Sequence, residues 1–92
     1  MVEQVHCVHI LVKTQKEAKQ LKDRIASGEE FGALAQQFST CPSKAQGGDL
    51  GWFGRGQMVK PFENAAFNGQ PGDLAVCRTQ FGWHVIRILE QK

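Results

Sequence analysis

Two segments near opposite ends of the chain carry apolar side chains on both of their alternating faces: Val5-His6-Cys7-Val8-His9-Ile10-Leu11-Val12 and Gly82-Trp83-His84-Val85-Ile86-Arg87-Ile88-Leu89. A strand of this kind has no face to offer water, so it must lie inside a sheet that is covered above and below. In the second segment His84, Ile86 and Ile88 share one face, and Arg87 is the one charged residue on the other. Both segments therefore read as central strands, and everything between them must supply the cover. With 92 residues there is room for one domain, taken as residues 1–92, and one modest core.

The intervening chain supplies that cover in helical form. Thr14 to Glu17 has the Ser/Thr-x-x-Glu pattern of a capping box. Ala18, Leu21, Ile25 and Ala26 follow at helical spacing, and Gly28 is placed to end the helix. Ser27 to Glu30 repeats the box, and Phe31, Leu34, Ala35 and Phe38 recur at i, i+3, i+4 and i+7. The pattern predicts two amphipathic helices near 14–27 and 30–39. From Ser39 to Gly56 the glycines and Pro42 indicate loop, with a helical turn near Ser43–Gln46 and a short strand over Leu50–Phe53. Pro61 suits the first position of a short helix over Phe62, Ala65 and Ala66, and Leu74 to Cys77 reads as a strand. Strands and helices without regular alternation argue an α+β domain built on a mostly antiparallel sheet.

Composition narrows the function classes. Hydrophobic residues make up 41% and charged residues 22%, as in an ordinary globular domain. Eleven basic residues against nine acidic ones leave a net charge of +2, with no two basic residues adjacent. That pattern gives no clustered basic face for nucleic acid or for an anionic membrane surface. Three cysteines without a Cys-x-x-Cys pair fit free thiols in a reducing compartment, and the first residues show no signal pattern. The expectation is a cytoplasmic protein, or a domain cut from a larger one, acting as a monomer with no metal and no cofactor.

Two features call for a chemical explanation. A histidine among apolar strand residues is ordinarily a satisfied core residue, but His9 and His84 sit on two strands expected to be neighbours. Their ring nitrogens could bond to each other, each setting the other's tautomer. His6 falls on the opposite face and is left out. The second feature is Gly47-Gly48-Asp49-Leu50-Gly51-Trp52-Phe53, then Gly56-Gln57-Met58 and Pro61-Phe62-Glu63. Leu50, Phe53, Met58 and Phe62 are large apolar residues without helical period, held among glycines. Each alone reads as core; together they suit the lining of a concave pocket. The Gly-Gly-Asp run lacks the Lys-Ser/Thr of a phosphate-binding loop.

Five blocks in order, His9-Ile10-Leu11-Val12-Lys13, Gly47 to Gly51, Gly56-Gln57-Met58, Pro61-Phe62-Glu63 and Phe81-Gly82-Trp83-His84-Val85-Ile86, resemble the parvulin family of peptidyl-prolyl cis/trans isomerases. The resemblance runs from about Val5 to Leu89 and is nearest to the small stand-alone prokaryotic members, without a WW module. It implies a four-stranded antiparallel sheet surrounded by about four helices, in the order β-α3-β-α-β2. It implies catalytic roles for His9, Cys41, Thr79 and His84, with Cys41 where members carry Cys or Asp. It also implies a proline pocket of Leu50, Met58 and Phe62, bordered by Phe53 and Phe81. Substrates would be proline-containing peptides and unfolded protein clients. Phospho-specific members have a basic cluster between the first strand and first helix; here Lys13 runs straight into Thr14 without arginine, so no phosphate requirement is expected. Two other readings compete: a peptide-holding chaperone module without turnover, and a Cys/His hydrolase, which would lack an oxyanion-hole motif. Cys7 and Cys77 read as small buried hydrophobes, and Lys13 and Lys60 as solvated.

Overall fold

The computed structural model describes residues 2–92. Its elements are β1 (Gln4–Val12), α1 (Gln15–Ala26), α2 (Phe31–Phe38), a 3₁₀ turn (Pro42–Gln46), β2 (Asp49–Gly54), α3 (Lys60–Asn68), β3 (Leu74–Thr79) and β4 (Gly82–Gln91). The strands form one antiparallel sheet in the order β2-β1-β4-β3. The two segments with no water-tolerant face are thus the inner pair, as their pattern requires. The expected four helices resolve into three α-helices and the 3₁₀ turn.

Each face of the sheet has its own core. On one face Ile10, Val12 and Val85 pack against Ala18, Leu21 and Ile25 of α1 and Phe31, Leu34 and Ala35 of α2. On the other, Val5, Cys7, Ile86 and Ile88 pack against Phe53 and against Phe62, Ala66 and Phe67 of α3. Burial raises the Cys7 and Cys77 thiols to about 11, which makes both chemically quiet. Cys77 is only half-buried, and all three cysteines are free.

Helix ends follow local rules in part. Thr14 caps α1 by accepting the Glu17 N–H at 3.2 Å, and its hydroxyl donates to the Glu17 carboxylate at 2.9 Å. At the other end Gly28 takes φ +112°, its N–H reaches the Ile25 carbonyl, and the Glu29 N–H reaches that of Arg24, a Schellman closure. The second capping box does not form. Ser27 donates its hydroxyl to the Arg24 carbonyl at 2.7 Å, completing α1, and α2 starts after Glu30 without a side-chain cap. Lys60, not Pro61, opens α3, which places the proline at the second position.

One backbone crossing positions the site. The regular β1–β2 register breaks between His6 and Val8, and the His9 N–H instead bonds the Gly48 carbonyl at 2.9 Å. Gly48 has φ +85°, and a Cβ there would overlap the His9 carbonyl. Only glycine lets the loop pass this close to β1.

Candidate active site

In the β1–β4 ladder His9 faces Ile86 and Leu11 faces His84. His9 and His84 are therefore diagonal neighbours on the α3 face. Their Nδ1 atoms lie 3.0 Å apart, with the rings nearly parallel at 17°. From this pair a hydrogen-bonded chain runs both ways. His84 Nε2 meets Thr79 Oγ1 at 2.8 Å, and Thr79 Oγ1 accepts the Phe81 backbone N–H at 3.1 Å. His9 Nε2 meets Ser43 Oγ at 3.2 Å, and Ser43 Oγ donates to Cys41 Sγ at 3.3 Å.

With the Ser43 hydroxyl donating to Cys41 and both imidazoles neutral, the chain has one sense. Thr79 then gives its hydroxyl hydrogen to His84 Nε2, and His84 Nδ1–H donates to His9 Nδ1. His9 Nε2–H donates to Ser43, and Ser43 donates to Cys41. This assignment gives every hydroxyl hydrogen an acceptor, and it needs both imidazoles neutral. Burial supplies that neutrality. It lowers the pKa of both histidines to about 4, helped at His9 by repulsion from His84.

Above the histidines lies a cleft of about 530 Å³ lined by His9, Leu11, Thr40, Cys41, Pro42, Leu50, Gln57, Met58, Val59, Phe62, Phe81 and His84. No Asp, Glu, Lys or Arg stands among the described residues that line it. Phe62 packs its ring edge-on against both imidazoles, with centroids at 5.6 and 5.2 Å. It thus forms the wall and steadies the floor together. Phe81 is 62% exposed and stands at the mouth.

Most of the expected site residues come together here. His9, Cys41, His84, Leu50, Met58, Phe62 and Phe81 all line the cleft. Thr79 does not; it lies behind His84 and acts only through it. Phe53 does not border the opening. It is 3% exposed and packs behind Phe62 with ring centroids 6.0 Å apart, because its position in β2 opposite Val5 points it into the core. Lys13 is exposed and Lys60 lies outside the lining. Ser43 carries no signal of its own in the sequence: it is one polar residue of the 3₁₀ turn, and only the fold brings it to His9.

An uncharged apolar cup over two neutral histidines suits one apolar ring of an extended peptide rather than an ionic substrate. Comparison with known proteins gives this class a family. The description of a PpiC-type PPIase domain matches residues 1–92, and the chain belongs to this parvulin-type family of peptidyl-prolyl cis/trans isomerase domains. Over 86 residues it is 48% identical to the foldase protein PrsA 4 of Bacillus cereus, covering 91% of this chain and 31% of that protein. The chain thus spans about a third of the length of the curated relatives it matches first. The crystal structure of PrsA from Bacillus anthracis superposes with a TM-score of 0.95 at 35% identity, over 99% of this chain and 43% of that one. Pin from the archaeon Cenarchaeum symbiosum superposes at 0.87 with 47% identity, covering 98% of this chain and 95% of that one.

Proposed function

We propose that this domain catalyses the non-covalent cis/trans rotation of Xaa-Pro bonds in flexible or unfolded protein segments, and so assists folding. The observation that carries the proposal is the cup itself: Leu50, Met58 and Phe62 around an opening whose floor is the neutral His9–His84 pair. Rotation is slow because amide resonance sets a barrier of about 18–20 kcal/mol. Twisting the bond removes that resonance and its charge separation. A dry cup that holds the proline ring and fits the twisted amide better than either planar isomer lowers the barrier. About 4–6 kcal/mol of such preference gives roughly 10³–10⁴-fold acceleration.

His9, His84, Cys41 and Thr79 set the polarity and shape of the floor, Thr79 from behind. Cys41 accepts a hydrogen bond from Ser43 and has no imidazole directly against it to take its proton. This favours a structural thiol over a nucleophile, since peptide rotation leaves no bond to cleave. The β1–α1 connection is Lys13 and Thr14 alone, with no arginine fork, so a phosphate before proline is not required. Three free thiols support a reducing, cytoplasmic setting, and we take the domain to act as a monomer.

Exchange spectroscopy on a short Leu-Pro peptide tests the proposal. Line broadening between cis and trans signals at catalytic protein concentration is expected. Binding without exchange would leave a peptide-holding chaperone module, and cleavage would restore the hydrolase.

A further inference from the structure

One wall of the cleft hangs on a buried carboxylate outside it. Residues 55–59, between β2 and α3, carry Gln57, Met58 and Val59, which line the opening. This segment is a turn and bend, neither helix nor strand. Glu63, in the first turn of α3, is 3% exposed, and its Oε1 accepts the Gly56 backbone N–H at 2.6 Å. Its Oε2 faces Arg55 at 3.4 Å and Lys60 at 3.8 Å. Arg55 in turn lies over the Phe67 ring, 4.4 Å from its centroid, and the Gly54 N–H bonds the Gln57 side chain at 2.7 Å. Gly56 has φ +87°, so the chain turns sharply where the carboxylate holds it.

We propose that Glu63 is a positioning residue for isomerisation: by tying Gly56 to α3 it pre-forms the Met58 wall against Phe62. The inference deepens the proline-cup reading and rests on it. Glu63 and Phe62 are successive residues of one helix, so the clamp ties both walls to a single rigid element. The Gly56 N–H, with Lys60 and Arg55, holds the Glu63 carboxyl below the usual carboxylate range, so the clamp is charged at neutral pH. The two cations contribute less than the backbone bond, because Lys60 is 84% exposed and Arg55 more than half exposed. Releasing the clamp makes the peptide order the segment each time it binds. The loss then falls on affinity rather than on the rate of turnover.

The test compares Glu63→Ala with Glu63→Gln, whose amide oxygen can still accept the Gly56 N–H. In E63A the Kd of a Leu-Pro peptide, read by NMR titration, and the KM should both rise about tenfold, with kcat within about threefold. Hydrogen exchange should quicken at Gly56 while the amides of β1 and β4 keep their protection. E63Q should stay within about threefold of the parent affinity. A folded E63A with unchanged Kd overturns the proposal, as does an E63Q as impaired as E63A. Should E63A fail to fold, the Gly56 amide of the unmodified protein decides. Its proton shift should follow one carboxyl titration lying below the ordinary Glu range; a flat shift, or one at the ordinary value, overturns the clamp. A parent domain that binds the peptide without turning it over would sink the isomerase reading and leave the Kd comparison intact.

Discussion

The two faces of the sheet solve the same covering problem differently. On the face of α1 and α2, nine buried apolar residues from two strands and two helices close a core of ordinary side chains. On the opposite face α3 closes the end of β1 and β4 that carries Val5, Cys7, Ile86 and Ile88, and reaches His9 and His84 only through Phe62 in its first turn. The other end, with His9, Leu11 and His84, is roofed by the 3₁₀ turn and the segment before α3, which leave a cleft. Function sits where helical cover stops. The polar chain is tolerated there because each of its members has a partner.

Paired truncations break this comparison most sharply. Ile10→Ala and Phe62→Ala each remove a buried side chain and should cost about 2–5 kcal/mol of stability. The catalytic rate per folded molecule should be unchanged for Ile10→Ala and nearly lost for Phe62→Ala. Thermal melts combined with exchange spectroscopy separate the two effects. Equal residual turnover in both would remove the functional distinction between the faces. Because Phe62 is core as well as wall, half-buried Met58 is the cleaner probe. Met58→Ala should lower kcat/KM by about tenfold or more at a stability cost near 1 kcal/mol. Full activity in a folded Met58→Ala protein would contradict the cup.

Protonation sharpens the contrast next. The folded pKa of His9 and His84 is about 4, below the ordinary value near 6.5. The unfolded chain therefore takes up protons first as pH falls. The stability tied to the neutral pair is complete above about pH 6.5 and is lost progressively toward pH 4. The urea midpoint should drop from pH 7 to pH 5, before most carboxylates titrate. A midpoint that holds or rises over this range would mean the pair is not neutral. His6, on the other face, has the opposite sign. Its bond to Asp49 at 2.7 Å raises its pKa, so its contribution is present at low pH and fades as pH rises through that raised value.

Cys41→Asp and Cys41→Ser should change turnover least, each keeping an acceptor for Ser43 and staying within about tenfold of the parent. Two inactive but folded variants would point to covalent chemistry. Steady-state rates on one Leu-Pro peptide decide it.

How far the site could be read in advance depended on what each residue reports locally. The strand faces, the Thr14 cap and the Gly28 stop are set by neighbours within four residues, and they appear as expected. The Ser27–Glu30 box failed because Ser27 was already committed to the end of α1, a competition that residue spacing does not show. The company of glycines suggests a pocket-edge place for Phe53, while its strand register turns it inward. Ser43 and Glu63 gave no periodic signal, since their partners His9 and Gly56 are brought to them by the fold.

Periodicity and glycine placement alone determined that two inner strands need cover on both sides, and that His9 and His84 stand on them. Hydrophobic burial and backbone sterics act over a few residues, so a linear pattern carries them. Only the tertiary structure decided that the imidazoles meet at 3.0 Å, that Ser43 joins them to Cys41, and that a carboxylate outside the cleft holds its wall. The bonds of His9 to His84 and to Ser43 join residues 75 and 34 apart in the chain, and their geometry exists only once the sheet register and the loop crossing at Gly48 are in place.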